Sequence, residues 1–218
     1  MTYVYVFDAY GTLFDVHSAV ARYRAEIGAH AEQMSEIWRA KQLEYTWTRT
    51  LMGEYRDFRV LTAQALDHAA AGFGGISSRL HEKLLAAYES LDAYPDAAPA
   101  LRALKKKGAQ TAILSNGTPE MLDNAVQSAG LAGLINRVLS VDAVRQFKTA
   151  PEAYALVDQA FGVSRPSISF QSSNRWDIAG AAKFGFRTVW INRPGHPDEY
   201  ADLPPDATLK SLEALQAL

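Results

Sequence analysis

Five short runs of β-branched and aromatic residues punctuate a chain whose remaining apolar positions recur at helical spacing. The runs span Tyr3 to Phe7, Gln110 to Leu114, Arg137 to Val141, Ser167 to Gln171 and Arg187 to Ile191, and each reads as a buried strand. From residue 96 onward the runs alternate with helical stretches: Leu101 and Leu104 share one helix face. Met121, Leu122, Ala125 and Val126 share a second, and Tyr154, Leu156, Val157 and Phe161 a third. This alternation predicts an α/β fold, a Rossmann-like parallel sheet core with helices on both faces.

Residues 16 to 91 break the rhythm. Ile37, Trp38, Leu43, Tyr45, Leu51, Leu61, Leu66, Leu84 and Leu85 follow mostly helical spacing with no clear strand among them. The pattern predicts an inserted all-helical cap over 16–91, with the catalytic core formed by 1–15 and 92–218. "AAAGFGGISS", 69–78, reads as a loop inside the cap, and "DAYPDAAP", 92–99, as the return linker.

A chain of 218 residues supports one sizeable core with a smaller lobe, not two full-size domains. Its 22 basic and 24 acidic residues nearly cancel, and no run of five like charges occurs, so no nucleic-acid partner is expected. Lys105-Lys106-Lys107 suits the solvated end of a helix, where cations complement the dipole. Cysteine is absent, which removes disulfides, thiolate nucleophiles and Cys-based zinc sites together. Asp8 breaks the first hydrophobic run, so neither a signal peptide nor a membrane span is expected, and a cytoplasmic location is the default.

In a sheet of this kind, ligands bind beyond the carboxyl ends of the strands. Four polar clusters fall there. Asp8 follows the first strand, Ser115-Asn116-Gly117 the second, Lys148 the third, and Ser172-Ser173-Asn174-Arg175-Trp176-Asp177 the fourth. Thr118 is a good N-cap and Pro119 suits a first helical turn, so the second cluster should abut a helix start that favours anions.

As an ordered set, "DAYGT", "SNG", the later lysine and "SSNRWD" resemble the motifs of the L-2-haloacid dehalogenases of the haloacid dehalogenase superfamily, across essentially the whole chain. The resemblance implies that Asp8 is a nucleophile. Phosphatases of the superfamily carry a second acid two residues later to protonate the leaving alkoxide, and here that position is Tyr10. Losing such an acid costs roughly 10²- to 10⁴-fold for an alkoxide, whereas halide departs without a proton. "SSNRWD" also offers one acid where phosphatases often present two, so no metal and no cofactor are expected.

A carboxylate approaching an anionic 2-haloacid at about 4 Å is repelled by about 4 kcal/mol at an effective dielectric of 20. That repulsion is worth roughly three decades of rate. Lys148 and, on "IWRAKQLEY", Arg39 are the cations that the resemblance sets against it. It further implies that Ser115 holds the substrate carboxylate and that Asn116, Arg39 and Trp176 surround the halide. Thr12 is placed to hydrogen-bond Asp8 past the turn at Gly11. Asn174 and Asp177 match the positions that orient and activate the hydrolytic water, with Ser172 and Tyr154 in support. Leu43, Phe58 and Trp176 match the family's apolar positions on the substrate's alkyl side, and Tyr10 is expected among the substrate-binding residues. In-line attack implies that an (S)-haloacid yields the (R)-hydroxyacid.

Thr149, Gln171 and Arg175 depart from the family pattern; Arg175 is expected to point to solvent, with anion binding or pairing to Asp177 as the other options. The partners expected are a small 2-haloacid, its halide and a second copy in a homodimer. A Mg²⁺-dependent phosphatase and a silent anion-binding scaffold stand as the alternatives.

Overall fold

The computed structural model describes residues 4–217. Six strands form one sheet: β1 (Val4–Phe7), β2 (Gln110–Ser115), β3 (Arg137–Ser140), β4 (Ile168–Ser172), β5 (Arg187–Ile191) and β6 (Ala207–Leu209). Their order is β3-β2-β1-β4-β5-β6, and every pairing is parallel. The fold is the Rossmann-like α/β core that the alternation predicts. The short β6 was not foreseen, because "ATL" is too brief to carry a periodic signal. Tyr3 lies outside the described residues.

Successive strand residues point to opposite faces, and the two faces bury different partners. Val4 and Val6 join Phe170 and Trp190 with Tyr154 and Val157 of α8 (Pro151–Phe161) and Ile178 of α9 (Arg175–Phe184). Phe7 and Ile113 face Leu101 and Leu104 of α6 (Ala97–Lys106) and Met121 and Leu122 of α7 (Pro119–Ser128). The lysine triplet ends α6 as expected, and Lys105 and Lys107 donate to the carbonyls of Gly133 and Gln216.

Between β1 and β2 the chain is helical: α1 (Ser18–Arg22), α2 (Arg24–Ile27), α3 (Ala31–Met52), α4 (Phe58–Ala71) and α5 (Ser78–Tyr88). Asp57 and Ser77 cap α4 and α5 by accepting from Val60 N and Leu80 N. The expected loop over 69–78 is shorter: alanine-rich sequence favours the helix, and α4 runs through Ala71. The return linker is likewise shorter, because Ala97, Ala98 and Pro99 already form the first turn of α6.

The α3–α4 hairpin is pinned by Trp38, whose indole N–H donates to the Thr62 carbonyl at 2.8 Å, and by Gln42 Nε2 donating to Thr62 Oγ1 at 2.9 Å. It meets the strand ends through Tyr55, whose hydroxyl donates to Asp142 at 2.6 Å, and Thr50, whose hydroxyl accepts from Phe147 N. Arg39 on α3 is thereby held over the carboxyl edge of the sheet.

Candidate active site

β1 is central in the sheet, with Phe7 in register with Ile113 of β2 and Gln171 of β4. Asp8 therefore leaves the sheet between two neighbours whose own ends carry Ser115 and Ser172. A buried strand can end in a charge here because the adjoining loops supply partners. Asp8 Oδ2 accepts from Asn174 Nδ2 at 2.8 Å, Thr12 Oγ1 at 3.0 Å and, more distantly, Ser172 Oγ at 3.4 Å. Oδ1 accepts from Lys148 Nζ at 3.1 Å. Gly11, at φ +91°, turns the chain so that Thr12 comes back onto Asp8, a conformation a side chain would strain.

Lys148 is buried and also donates to Asp177 Oδ2 at 2.9 Å. Tyr154 donates from below, its hydroxyl 2.8 Å from Asp177 Oδ1. Burial pulls the Lys148 ammonium toward neutrality, but Asp177 and Asp8 outweigh it and hold its pKa above the ordinary lysine value. Burial, with Asp8 adding to it, pushes the Asp177 carboxyl up to about 6 against the opposing pull of Lys148 and Tyr154. Burial next to Asp177 raises the Tyr154 hydroxyl well above its usual range, so it stays a donor.

Arg39 Nη2 lies 3.2 Å from the Tyr10 carbonyl and 3.4 Å from Asn174 Oδ1. It joins the cluster through Asn174, which also donates to the Tyr10 carbonyl. Asn116 Oδ1 accepts from the Lys148 backbone N–H at 3.0 Å, tying the second strand's loop to the lysine. Ser115 does not bond Asp8; its hydroxyl accepts from Gly117 N at 3.2 Å. Thr118 caps α7 by accepting from Met121 N, with Pro119 in its first turn.

Tyr10 is buried against Phe58 and Tyr88, with ring centroids 5.4 and 5.5 Å away. Its hydroxyl has no partner among the described residues. It sits so close to Gly117 that a Cβ there would lie 2.9 Å from it, so the glycine is required by space. Trp176, half-buried on α9, meets Trp47 of α3 edge-on at 5.5 Å. Leu43 is half-buried on α3 one turn beyond Arg39, and no hydrogen bond ties it to the cluster. Tyr88 and Trp47 were not singled out from the sequence, because aromatics at helical spacing read equally well as core.

The departures resolve individually. Thr149 packs against Gly180, and Gln171 is buried on β4 with its amide N–H donating to Ser169. Arg175 corrects the expectation of a solvent-facing side chain: it is buried, with Nε 2.6 Å from Asp198 and Nη2 donating to the Tyr200 and Leu203 carbonyls. It pairs with Asp198 instead of Asp177 because the chain after β5 folds back over the start of α9.

Among the described residues, no three His, Asp or Glu side chains are grouped to hold a metal ion. Asp8 and Asp177 share the Lys148 ammonium, which supplies a fixed positive charge between them. No helix among the described residues is long and apolar enough to cross a membrane.

A family model described as a haloacid dehalogenase-like hydrolase matches residues 4–185. The chain is 48% identical over 214 residues to (S)-2-haloacid dehalogenase 1 of Pseudomonas sp. (strain CBS-3), covering 98% of this chain and 94% of that protein. It is 47% identical to (S)-2-haloacid dehalogenase 4A of Burkholderia cepacia, covering 98% and 93%. The L-2-haloacid dehalogenase of Xanthobacter autotrophicus with chloropropionic acid covalently bound superimposes with a TM-score of 0.90 at 38% identity, over 100% of this chain and 98% of that one. Sequence and fold comparisons agree: the chain belongs to the haloacid dehalogenase-like hydrolases, among the (S)-2-haloacid dehalogenases.

Proposed function

We propose that this enzyme hydrolyses (S)-2-haloacids to (R)-2-hydroxyacids through an ester on Asp8, without a metal ion. The observation that carries the reading is the buried Lys148 ammonium bridging Asp8 and Asp177. The covalent chloropropionic acid of the Xanthobacter relative supports the ester.

In the first step an Asp8 oxygen attacks the α-carbon, forming the ester C–O bond as the carbon–halogen bond breaks and its electron pair leaves with the halide. Oδ2 is occupied by three donors and Oδ1 by one, so Oδ1 retains a lone pair for attack. Lys148 and Arg39 offset the repulsion between Asp8 and the substrate carboxylate. Ser115 and the loop before α7 bind that carboxylate, while Arg39, Asn116 and Trp176 receive the halide. Tyr10, Leu43 and Phe58 shape the apolar side. No acid is needed at position 10, and the Tyr10 hydroxyl, buried over Gly117, supplies none.

In the second step water attacks the Asp8 carbonyl carbon and the ester C–O bond to the carboxyl carbon breaks, releasing hydroxyacid. Asp177 takes the water's proton and returns it to the departing alkoxide oxygen, so the hydroxyacid leaves neutral at that oxygen and Asp8 is restored as carboxylate; a carboxyl near 6 is ionised at neutral pH yet basic enough for this work. Tyr154 orients Asp177, and Thr12, Ser172 and Asn174 hold the Asp8 carboxyl.

The residues from 16 to 91 form the cap and 1–15 with 92–218 the core, and the enzyme is a cytoplasmic homodimer. The exposed Leu51 and Met52 at the end of α3, 87% and 61% accessible, with Val60 nearby on α4, support a second copy there.

The test is halide release from the two enantiomers of 2-chloropropionate with and without EDTA, followed by a single turnover in H₂¹⁸O. Strong (S) preference, indifference to chelation and isotope appearing in Asp8 before product are expected. Label in the product of the first turnover, or Mg²⁺-dependent release of p-nitrophenol from its phosphate, overturns the reading.

A further inference from the structure

Arg193, two residues beyond β5, takes no part in the steps above, yet it grips both loops that hold Asp8. Its Nη1 donates to Ser173 Oγ at 2.9 Å, and its Nη2 donates to the Thr12 carbonyl at 3.1 Å. Nη2 also lies 2.9 and 3.0 Å from the two carboxylate oxygens of Asp96. The guanidinium stacks over Tyr94 with its central carbon 4.1 Å from the ring centroid. Asp96 is buried and additionally accepts from Leu212 N at 2.9 Å, so the fork is anchored in the core and not at a mobile rim.

The two loops meet at Thr12. Its Oγ1 donates to Asp8 Oδ2 at 3.0 Å and accepts from the Ser173 backbone N–H at 2.8 Å. That rotor is locked only while the β1 loop and the β4 loop keep their present spacing. One residue past Ser173 stands Asn174, the shortest contact to the same oxygen. A planar fork with donors at fixed spacing can span Ser173, Thr12 and Asp96 together, which the point charge of a lysine cannot do.

We propose that Arg193 is a positioning residue for the dehalogenation: through Thr12 and Ser173 it fixes the loops whose donors orient Asp8, and it touches neither substrate nor reacting atoms. This rests on Asp8 being the nucleophile. Arg193 bonds none of Arg39, Ser115, Asn116 or Trp176, so capture of substrate is left intact. A misplacement of the order of 1 Å at the reacting carboxylate costs about 10²-fold in rate.

The experiment measures (S)-2-chloropropionate turnover by Arg193→Ala and Arg193→Lys, with circular dichroism and thermal melts alongside. For R193A, kcat falls about 10²-fold while KM rises no more than about threefold, and added guanidinium chloride at millimolar concentration restores at least about tenfold of the loss. R193K, which keeps the charge and the fold, loses about tenfold in kcat. Wild-type kcat in R193K, or R193A activity that tracks only the folded fraction and does not respond to guanidinium, overturns the proposal. If R193A does not fold, R193K decides alone. Wild-type enzyme that releases no halide removes the functional reading and this proposal with it, whereas active wild type with unimpaired variants removes the positioning role only.

Discussion

Lys148 Nζ stands 3.1 Å from Asp8 Oδ1, and neither side chain has more than a tenth of its surface in water. An ammonium so placed does two jobs. In the proposed reaction it lowers the barrier for an anion to approach Asp8, and it keeps Asp8 and Asp177 from facing each other unpaired. Removing it exposes both consequences.

Lys148→Met is expected to lower halide release from (S)-2-chloropropionate at least about 10³-fold, the rate equivalent of the like-charge repulsion it now offsets. It also leaves two buried carboxylates uncompensated, so urea unfolding should show a loss of about 3–5 kcal/mol. An active, equally stable variant contradicts the charge argument.

In the proposed mechanism, Asp177 sets the acid limb of the pH profile. Its folded-state pKa is raised to about 6, chiefly by burial, so protons bind to it as pH falls through that value and its capacity to accept the water's proton disappears. Ester hydrolysis in single turnover should fall about tenfold for each pH unit below about 6. Quenched-flow mass spectrometry of the Asp8 adduct measures it; a rate independent of pH from about 5 to 8 rules Asp177 out as base.

Tyr10→Phe deletes a buried hydroxyl that has no partner among the described residues. Removing an unsatisfied polar group from a packed aromatic cluster should be neutral or stabilising, by up to about 1 kcal/mol. Halide release should stay within about threefold of wild type, since the proposed chemistry asks nothing of the hydroxyl. A drop beyond tenfold means that Tyr10 does supply a hydrogen bond during the reaction.

Arg175→Ala cuts the bonds from Arg175 to Asp198, Tyr200 and Leu203 together. The segment over the first turn of α9 should then open to proteases, with a stability loss of about 1–3 kcal/mol. Cleavage sites mapped by mass spectrometry should cluster at 198–203; an unchanged digestion pattern means the segment is held by other contacts.

Much of this was legible beforehand where the signal is local. Strand and helix alternation from β2 onward needed only the period of apolar residues, and the placement of Asp8, Ser115, Lys148 and Asn174 at one edge followed from their lying at the end of a strand or in the loop beyond it. Tyr10 in place of an acid could be read chemically without coordinates. Element ends were read less well: Ala69 to Ala71 and Ala97 to Pro99 look like loop in a window rich in Gly and Pro, but packing continues α4 and begins α6 there.

What the sequence by itself determined is the order of elements, the aspartate that ends the first strand and the absence of a partner acid two residues on, because backbone periodicity and residue chemistry are properties of short segments. Only the tertiary structure decided that Lys148 binds Asp177 as well as Asp8, that Arg175 turns inward to Asp198 and that Arg193 reaches back to Thr12 across most of the chain. Those pairings depend on where distant loops converge, and a long charged side chain takes its direction from the buried partners it meets there, not from its neighbours in sequence.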